Sequence, residues 1–353
     1  MPGGRAEQKG VALDRAGHRP TYPVVMARSH LTLAALATSA VDGLDVAGSQ
    51  SFGSPGGDFD AALLTGRDGR HWTVRVPRSE RAESEQSADL VALRALSAGV
   101  RTRLPFAVST FAGQIPLDGT RAVVYEFVYG TKIPLQSFTF EYAASVGEAI
   151  AAIHALPTSF VVDAGLPAHS SVDTLRSTIA LMDRAAATGL IPAALLRRWE
   201  AAAEESTLWQ FSPMVVNGSL GSDSFLGNGD AVTGVLGWHA LRVGDPARDL
   251  SWLFGGPEGV FDAAFAAYSQ VRGTVDRQLR QRATLLSELE IARWLLHGTE
   301  TRSTEIVDDA VQMLSNLVDE VQKDIMNPIG PQTMPVLGVD EVERLLAQTE
   351  RVR

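Results

Sequence analysis

Apolar residues recur along this chain with two different periods, and the change from one to the other divides it. Residues 26–40 put Leu33, Leu36, Ala37 and Ala40 on one helical face. An extended segment then runs into Ser51-Phe-Gly-Ser-Pro-Gly-Gly-Asp-Phe-Asp60. Residues 61–65 and 70–76 flank Gly66-Arg-Asp-Gly69, a hairpin signal with Asp68-Gly69 at its tip. A helix over about 80–97, carrying Leu90, Leu93 and Leu96, separates this hairpin from two more strands, near 106–111 and 122–128. Past Gly130 the period becomes helical. Residues 140–155 carry Val146, Ile150 and Ile153 and stop before Pro157. Further helices are expected near 172–187, 192–207, 258–272, 276–298 and 303–324, interrupted by one short strand pair, 214–216 with 232–236, around a polar loop. No internal repeat is present.

The pattern predicts an α+β chain. A polar arm, 1–25, precedes a small strand-rich lobe, 26–128, and a linker near 128–135. A larger helical lobe, 129–324, follows. The Pro/Gly-rich extension 325–353 ends in a small helix at 340–348.

Composition narrows the function. The chain has 353 residues, 45% hydrophobic and 20% charged, which excludes disordered and fibrous classes. A chain this long buries about three-quarters of its surface. The net charge of −10 argues against nucleic acid as a partner, since phosphate neutralisation needs a concentrated basic field. Only Lys9, Lys132 and Lys323 are lysines, so any cation needed in the first lobe is an arginine. The absence of cysteine excludes disulfides, thiolate nucleophiles and thiolate metal sites. No apolar run reaches the ~18 residues of a membrane span. The basic start and small-residue end of 26–40 mimic a weak signal peptide, but its apolar core is short. A packed amphipathic helix, a cytoplasmic location and no membrane partner are expected.

The most informative stretch is Val215-Val-Asn-Gly-Ser-Leu-Gly-Ser-Asp-Ser-Phe-Leu226. Val232-Thr-Gly-Val-Leu-Gly-Trp238 and Val243-Gly-Asp-Pro-Ala-Arg-Asp-Leu-Ser-Trp-Leu253 follow it. It reads as strand, polar loop, strand and helix start, with Asp245 as N-cap and Pro246 as the first helical residue. Asp249 then falls on the first turn.

This order of motifs resembles the aminoglycoside and macrolide phosphotransferases, small-molecule kinases with a bilobed protein-kinase-like fold. Their pattern is H-G-D-L-x-x-x-N-x-L, then G-V-I-D-W, then G-D-P-x-x-D-L. Gly244-Asp-Pro-Ala-Arg-Asp-Leu250 matches the last block closely, and Gly218, Leu220, Leu226, Gly234, Val235 and Trp238 keep the frame of the other two. Trp72-Thr-Val-Arg-Val-Pro-Arg78 looks like the strand that places a cation on the ATP phosphates, and Gly56-Gly-Asp-Phe-Asp60 like the loop that covers them. Leu104-Pro-Phe-Ala-Val108 and Ala149-Ile-Ala-Ala-Ile-His-Ala-Leu-Pro157 are similar to the macrolide-kinase branch.

The resemblance implies nucleotide contacts from Ser54, Gly56, Gly57 and Arg75, with Tyr125, Glu126 and Phe127 where the family seats adenine. The carboxylate partner of Arg75 is open between Glu83, Glu85 and Asp89. Asp245 and Asp249 become structural, Asp249 as a brace for the catalytic loop, and His154 a satisfied structural histidine. The chemistry positions depart from the family. Ser219 stands where the catalytic aspartate belongs, Ser224 where the metal-holding asparagine belongs, Gly237 where the metal-binding aspartate belongs, and Asn217 where the histidine belongs.

Phosphoryl transfer rests on positioning and charge neutralisation, mostly by magnesium, and a missing general base alone costs about 10²–10⁴ in rate. The expectation is therefore a pseudokinase, a binding or regulatory protein that takes ATP or GTP without magnesium and a small molecule between its lobes, with no metal. The alternative is an active kinase acting on a macrolide-like or other hydroxylated compound through a shifted carboxylate such as Asp223.

Overall fold

The computed structural model describes residues 27–53, 57–117 and 119–323. The arm 1–25, the extension 325–353 with its helix at 340–348, Ser54 and Gly56 lie outside the described residues. The first helix, α1 (His30–Ala40), starts at Ser29, whose side chain accepts the Thr32 N–H. It packs on an antiparallel sheet of β1 (Val46–Ser51), β2 (Phe59–Gly66), β3 (His71–Pro77), β5 (Phe111–Leu117) and β6 (Thr120–Glu126) in the order β1-β2-β3-β6-β5. Leu33 and Ala37 of α1 are buried against Ala62, Leu64, Trp72, Val74, Val76, Ala122 and Val124, while Leu36 and Ala40 cover the edge of the same core. Residues 30–40 are thus a packed helix.

Strand alternation sends the remaining residues of β6 the other way. Val123 and Tyr125 join a second, larger core with Leu90, Leu93 and Leu96 on and just beyond α2 (Glu80–Ala95). A short helix, α3 (Ala98–Arg101), leads to β4 (Ala107–Val108), which pairs in parallel with β9 (Ala231–Val235) of the helical half. Residues 90–108 therefore tie the two halves together. One side chain fixes this corner. Arg101 donates to the carbonyls of Leu93 (3.1 Å), Leu96 (2.6 Å), Val108 (3.0 Å) and Ser109 (2.9 Å).

The helical half begins with α4 (Phe140–His154), followed by α5 (Ser159–Asp163), α6 (Ser171–Ala186) and α7 (Ala193–Glu204). Next come β7 (Met214–Val216), β8 (Phe225–Asn228), β9, β10 (Arg242–Gly244) and the short α8 (Ala247–Leu250). The long helices α9 (Val260–Arg272), α10 (Leu279–Thr301) and α11 (Thr304–Lys323) complete it. A Cβ on Gly147 would lie 2.0 Å from the Ala264 carbonyl oxygen, so this glycine lets α4 and α9 touch. Helices α6, α7, α10 and α11 enclose a third core around Trp199, Leu285, Leu289 and Leu314. Among the described residues no helix is long and apolar enough to cross a membrane.

Two expectations need correction. The strands at 214–216 and 232–236 do not pair with each other: β7 pairs with β10, and β9 pairs with β8 and β4. Proximity in sequence suggested one hairpin, but Leu220 and Phe225 are buried and fold the intervening loop onto the core. The strand over 111–117 was also not foreseen. It holds Gly113 and Pro116, residues that argue against a central strand, and it lies at the sheet edge where proline is tolerated.

Candidate active site

The loop after β7 hangs on one buried carboxylate. Asp249, fully buried on α8, accepts the Asn217 N–H on Oδ2 and the Gly218 N–H on Oδ1, both at 2.7 Å. His154 Nε2 lies 3.2 Å from the same Oδ2, and its Nδ1 lies 3.0 Å from the Tyr268 hydroxyl. A carboxylate only accepts, so Nε2 donates to it, and in the neutral ring Nδ1 is left to accept from the Tyr268 hydroxyl. The motif order thus builds a brace that runs from α9 through α4 and α8 to the loop.

Asn217 fixes what the brace holds. Its Nδ2 donates to the Gly237 carbonyl at 2.9 Å, and its Oδ1 accepts from the Ser219 N–H and hydroxyl, both at 3.2 Å. The Ser219 hydroxyl meets this amide and, among the described residues, no imidazole that could serve as the base a nucleophile needs. Ser224 Oγ accepts the Gly221 N–H at 3.3 Å and closes the turn before β8. Gly237 has φ +72°, and a Cβ there would meet nothing within 4 Å. Its backbone takes the left-handed region that glycine favours, beside open space.

The nearby carboxylates are placed elsewhere. Asp245 is buried, bonded to Arg282 at 3.0 Å and to the Ala247 N–H at 3.0 Å. The expected cap shifts by one: α8 starts at Ala247 with Pro246, not Asp245, at the N-cap position, and the Asp245 carboxylate accepts the Ala247 N–H from one residue further out. Burial raises the Asp245 pKa, against the pull of Arg282. Asp230 accepts from Thr139. Asp223 is exposed and has no hydrogen bond among the described residues. Magnesium requires hard anionic oxygens in near-octahedral array. Two neutral serine hydroxyls and a glycine do not fit the ion that the family resemblance implies. Among the described residues no three His, Cys, Asp or Glu side chains gather to hold a metal.

On the other half, Arg75 stands on the face of β3 opposite Val74 and Val76, and so on the side of α2. Its guanidinium lies 3.9 Å above the Phe59 ring and has no hydrogen-bond acceptor or ion pair among the described residues. Of its three candidate partners, Glu83 is taken by Thr120 and Arg121, and Glu85 by Arg81. Asp89 is the one whose charge acts on Arg75's side of the helix. Its Oδ1 accepts the Trp238 N–H at 2.7 Å, so it also grips the residue after Gly237. Burial raises the Asp89 pKa, opposed by that N–H, Arg75 and His239. A signal for choosing it was present: Ala82, Gln86, Asp89 and Leu93 form one helical stripe, and the other three are buried.

At the strip joining the halves, Phe127 lies edge-on to Phe52 (6.0 Å), and Tyr129 edge-on to Phe127 (5.1 Å). His71 Nδ1 lies 2.9 Å from the Tyr129 hydroxyl. Phe52, His71 and Tyr129 were not singled out from sequence, being scattered in it. Tyr125 is a core residue whose pKa burial pushes up, and Glu126 turns outward to Arg70 at 2.7 Å. Of the three residues expected around adenine, only Phe127 joins the ring cluster. Gly57 is described, next to the segment that is not.

Residues 51–286 match the model of the phosphotransferase enzyme family. The chain belongs to that family. A search of curated proteins finds no match. Among solved structures, it is similar to the apoenzyme of macrolide 2'-phosphotransferase MphH from Brachybacterium faecium, at 23% identity and TM-score 0.67, covering 80% of this chain and 97% of that one. A macrolide 2'-phosphotransferase type I is 24% identical at TM-score 0.65, with 80% and 96% covered. The GDP complex of aminoglycoside 2'-phosphotransferase-IIIa is 18% identical at TM-score 0.66, with 81% and 96% covered. At these identities the likeness establishes the kinase-like fold of this phosphotransferase-family chain and leaves its chemistry to its own residues.

Proposed function

We propose that this chain is a pseudokinase of the phosphotransferase family, a binding or regulatory protein that takes a nucleotide without magnesium and a small molecule between its halves. One observation carries the reading. The loop frame is held intact by Asp249 and Asn217, while the side chains at Ser219, Ser224 and Gly237 offer neither a proton acceptor of useful basicity nor a carboxylate for a metal. Nucleotide binding is supported by Arg75, a cation with free donors, and by the ring cluster around Phe127, which offers apolar faces to a base. A solved relative of the same fold is a GDP complex, which agrees with this.

The test is hydrolysis of ATP with magnesium by the purified protein. The wild type is expected to stay at the buffer rate, and Ser219→Asp/Ser224→Asn/Gly237→Asp is expected to gain magnesium-dependent hydrolysis. Magnesium-dependent turnover by the wild type would sink the reading. A second reading, an active phosphotransferase, rests on Asp223, the exposed carboxylate of the loop. It requires a wild-type activity that falls by about 10²-fold or more in Asp223→Ala, the worth of a positioned base.

A further inference from the structure

A groove of about 440 Å³ lies between α10 and α11, and Phe254, in the short turn Ser251–Gly255 after α8, forms part of its wall. None of its lining residues belongs to the loop brace or to the nucleotide side. Phe254, Ile291, Met313, Leu317 and Val321 give it an apolar lining, and Met313 is 41% exposed. Phe254 is fixed there by stacking on Phe261 at 3.8 Å. Two of the charged residues around it are engaged, Arg198 with Glu288 at 2.9 Å and Arg280 with Asp262 at 2.6 Å. Ser287 and Asn316 also line the groove. The Ser287 hydroxyl and Asn316 Nδ2 have no hydrogen bond among the described residues, while Asn316 Oδ1 accepts from Gln312.

Helix α11 ends at Lys323, two residues past Val321, so the chain leaves the described residues at the groove itself. Residues 324–353 follow. Within them Asn327-Pro-Ile-Gly-Pro331 is a turn sequence, and Met334-Pro-Val-Leu-Gly-Val339 is the longest run free of polar and charged side chains. Ten residues separate Lys323 from Met334. At about 3.3 Å each they suffice to reverse direction and return along α11. The lengths also agree. Lining positions 313 to 321 of α11 span about 12 Å and 280 to 291 of α10 about 16 Å. Six extended residues span about 17 Å.

We propose that this groove is the docking site of the chain's own segment 334–339, laid in extended form between α10 and α11. Alternate side chains of an extended segment point the same way, so Pro335, Leu337 and Val339 turn together onto the apolar lining. The segment's backbone then meets the two free polar groups: its carbonyls accept from Asn316 Nδ2, and the Ser287 hydroxyl bonds to either a carbonyl or an N–H. A helix, about 10 Å across with its side chains, is too wide for a groove of this volume. The docked segment ties α11 to the turn behind α8, the helix that carries Asp249. The inference goes beyond the proposed function, since it needs neither a nucleotide nor a small molecule.

The chain has no cysteine, so introduced pairs report proximity without background. The experiment compares Met313→Cys/Leu337→Cys with Ser315→Cys/Leu337→Cys, Ser315 being exposed two residues further along α11. Under mild oxidation the first pair is expected to form an intramolecular disulfide about tenfold faster or more, because docking raises the effective concentration at one face only. Hydrogen exchange on the unsubstituted full chain is the second measurement and decides if a cysteine variant does not fold. The amides of 336–339 should exchange about tenfold or more slowly than in the free peptide, and Met313→Asp should remove that protection. Equal rates for the two cysteine pairs would overturn the proposal, as would unprotected amides in the unsubstituted chain. A disulfide formed only between two chains would overturn it too, since the groove would then take a second copy.

Discussion

Asp249 shows how much one side chain carries here. It accepts from two backbone N–H groups and an imidazole, all buried. Asp249→Ala leaves these donors unpaired, at about 1–3 kcal/mol each before relaxation, so a loss of about 3 kcal/mol or more is expected from urea unfolding. Asp89 makes a prediction of opposite sign. Its folded pKa is raised by burial, so the protonated form favours the fold, and that stability is lost as pH rises through the folded value. Asp89→Asn keeps an acceptor for the Trp238 N–H without the buried charge. It should melt higher than wild type at neutral pH, with the difference closing as pH falls through the carboxylate range; a difference that widens toward acid would contradict this. Gly237→Asp meets no neighbour, and its cost is confined to a left-handed backbone, about 1–2 kcal/mol. Unfolding of that variant on circular dichroism would show that the loop frame had been remodelled.

Among the elements, the corner pinned by Arg101 joins α2, α3 and β4, and so decides how the two halves meet. Four carbonyls receive its guanidinium, whose pKa burial lowers. Arg101→Ala should cost about 3 kcal/mol, and Arg101→Lys should recover little of it, since an ammonium has three donors and no planar fork. Equal stability of wild type and the lysine variant would refute the pin. Sequence period made the long helices legible because each buries one stripe: Val146, Ile150 and Ile153 of α4 face the core as their spacing required. It failed for short strands. The two-residue β4 and the three-residue β7 and β10 are too short to show alternation, and their partners are set by the tertiary core. The edge strand β5 hid behind Gly113 and Pro116.

For the whole molecule, three cores and a strip of aromatic residues hold two halves around a loop braced by Asp249 and Asn217. Fold and family were legible because Gly244-Asp-Pro-Ala-Arg-Asp-Leu250 starts α8 and carries the Asp249 brace, while Gly218, at φ +85°, answers to backbone geometry. Ser219, Ser224 and Gly237, on which the proposed function rests, could equally be read from the sequence. The brace at Asp249 was implied by the resemblance, but the partners of the other two carboxylates were not: Asp245 and Asp89 look alike as letters, yet one is paired with Arg282 and the other holds Trp238. The meeting of Arg248 and Arg293 on Glu290 was likewise invisible, since it joins two elements far apart in sequence.

The central claim is that nucleotide binding in this chain has been uncoupled from magnesium. It is tested most directly by the thermal stability of the purified protein with ATP, with and without magnesium. Binding raises stability by mass action, about 2.7 kcal/mol at a hundredfold excess over Kd. The account predicts a rise in melting temperature with ATP alone that magnesium does not increase, and that Arg75→Gln abolishes. A rise that appears only with magnesium would mean that a metal site persists, and would contradict it.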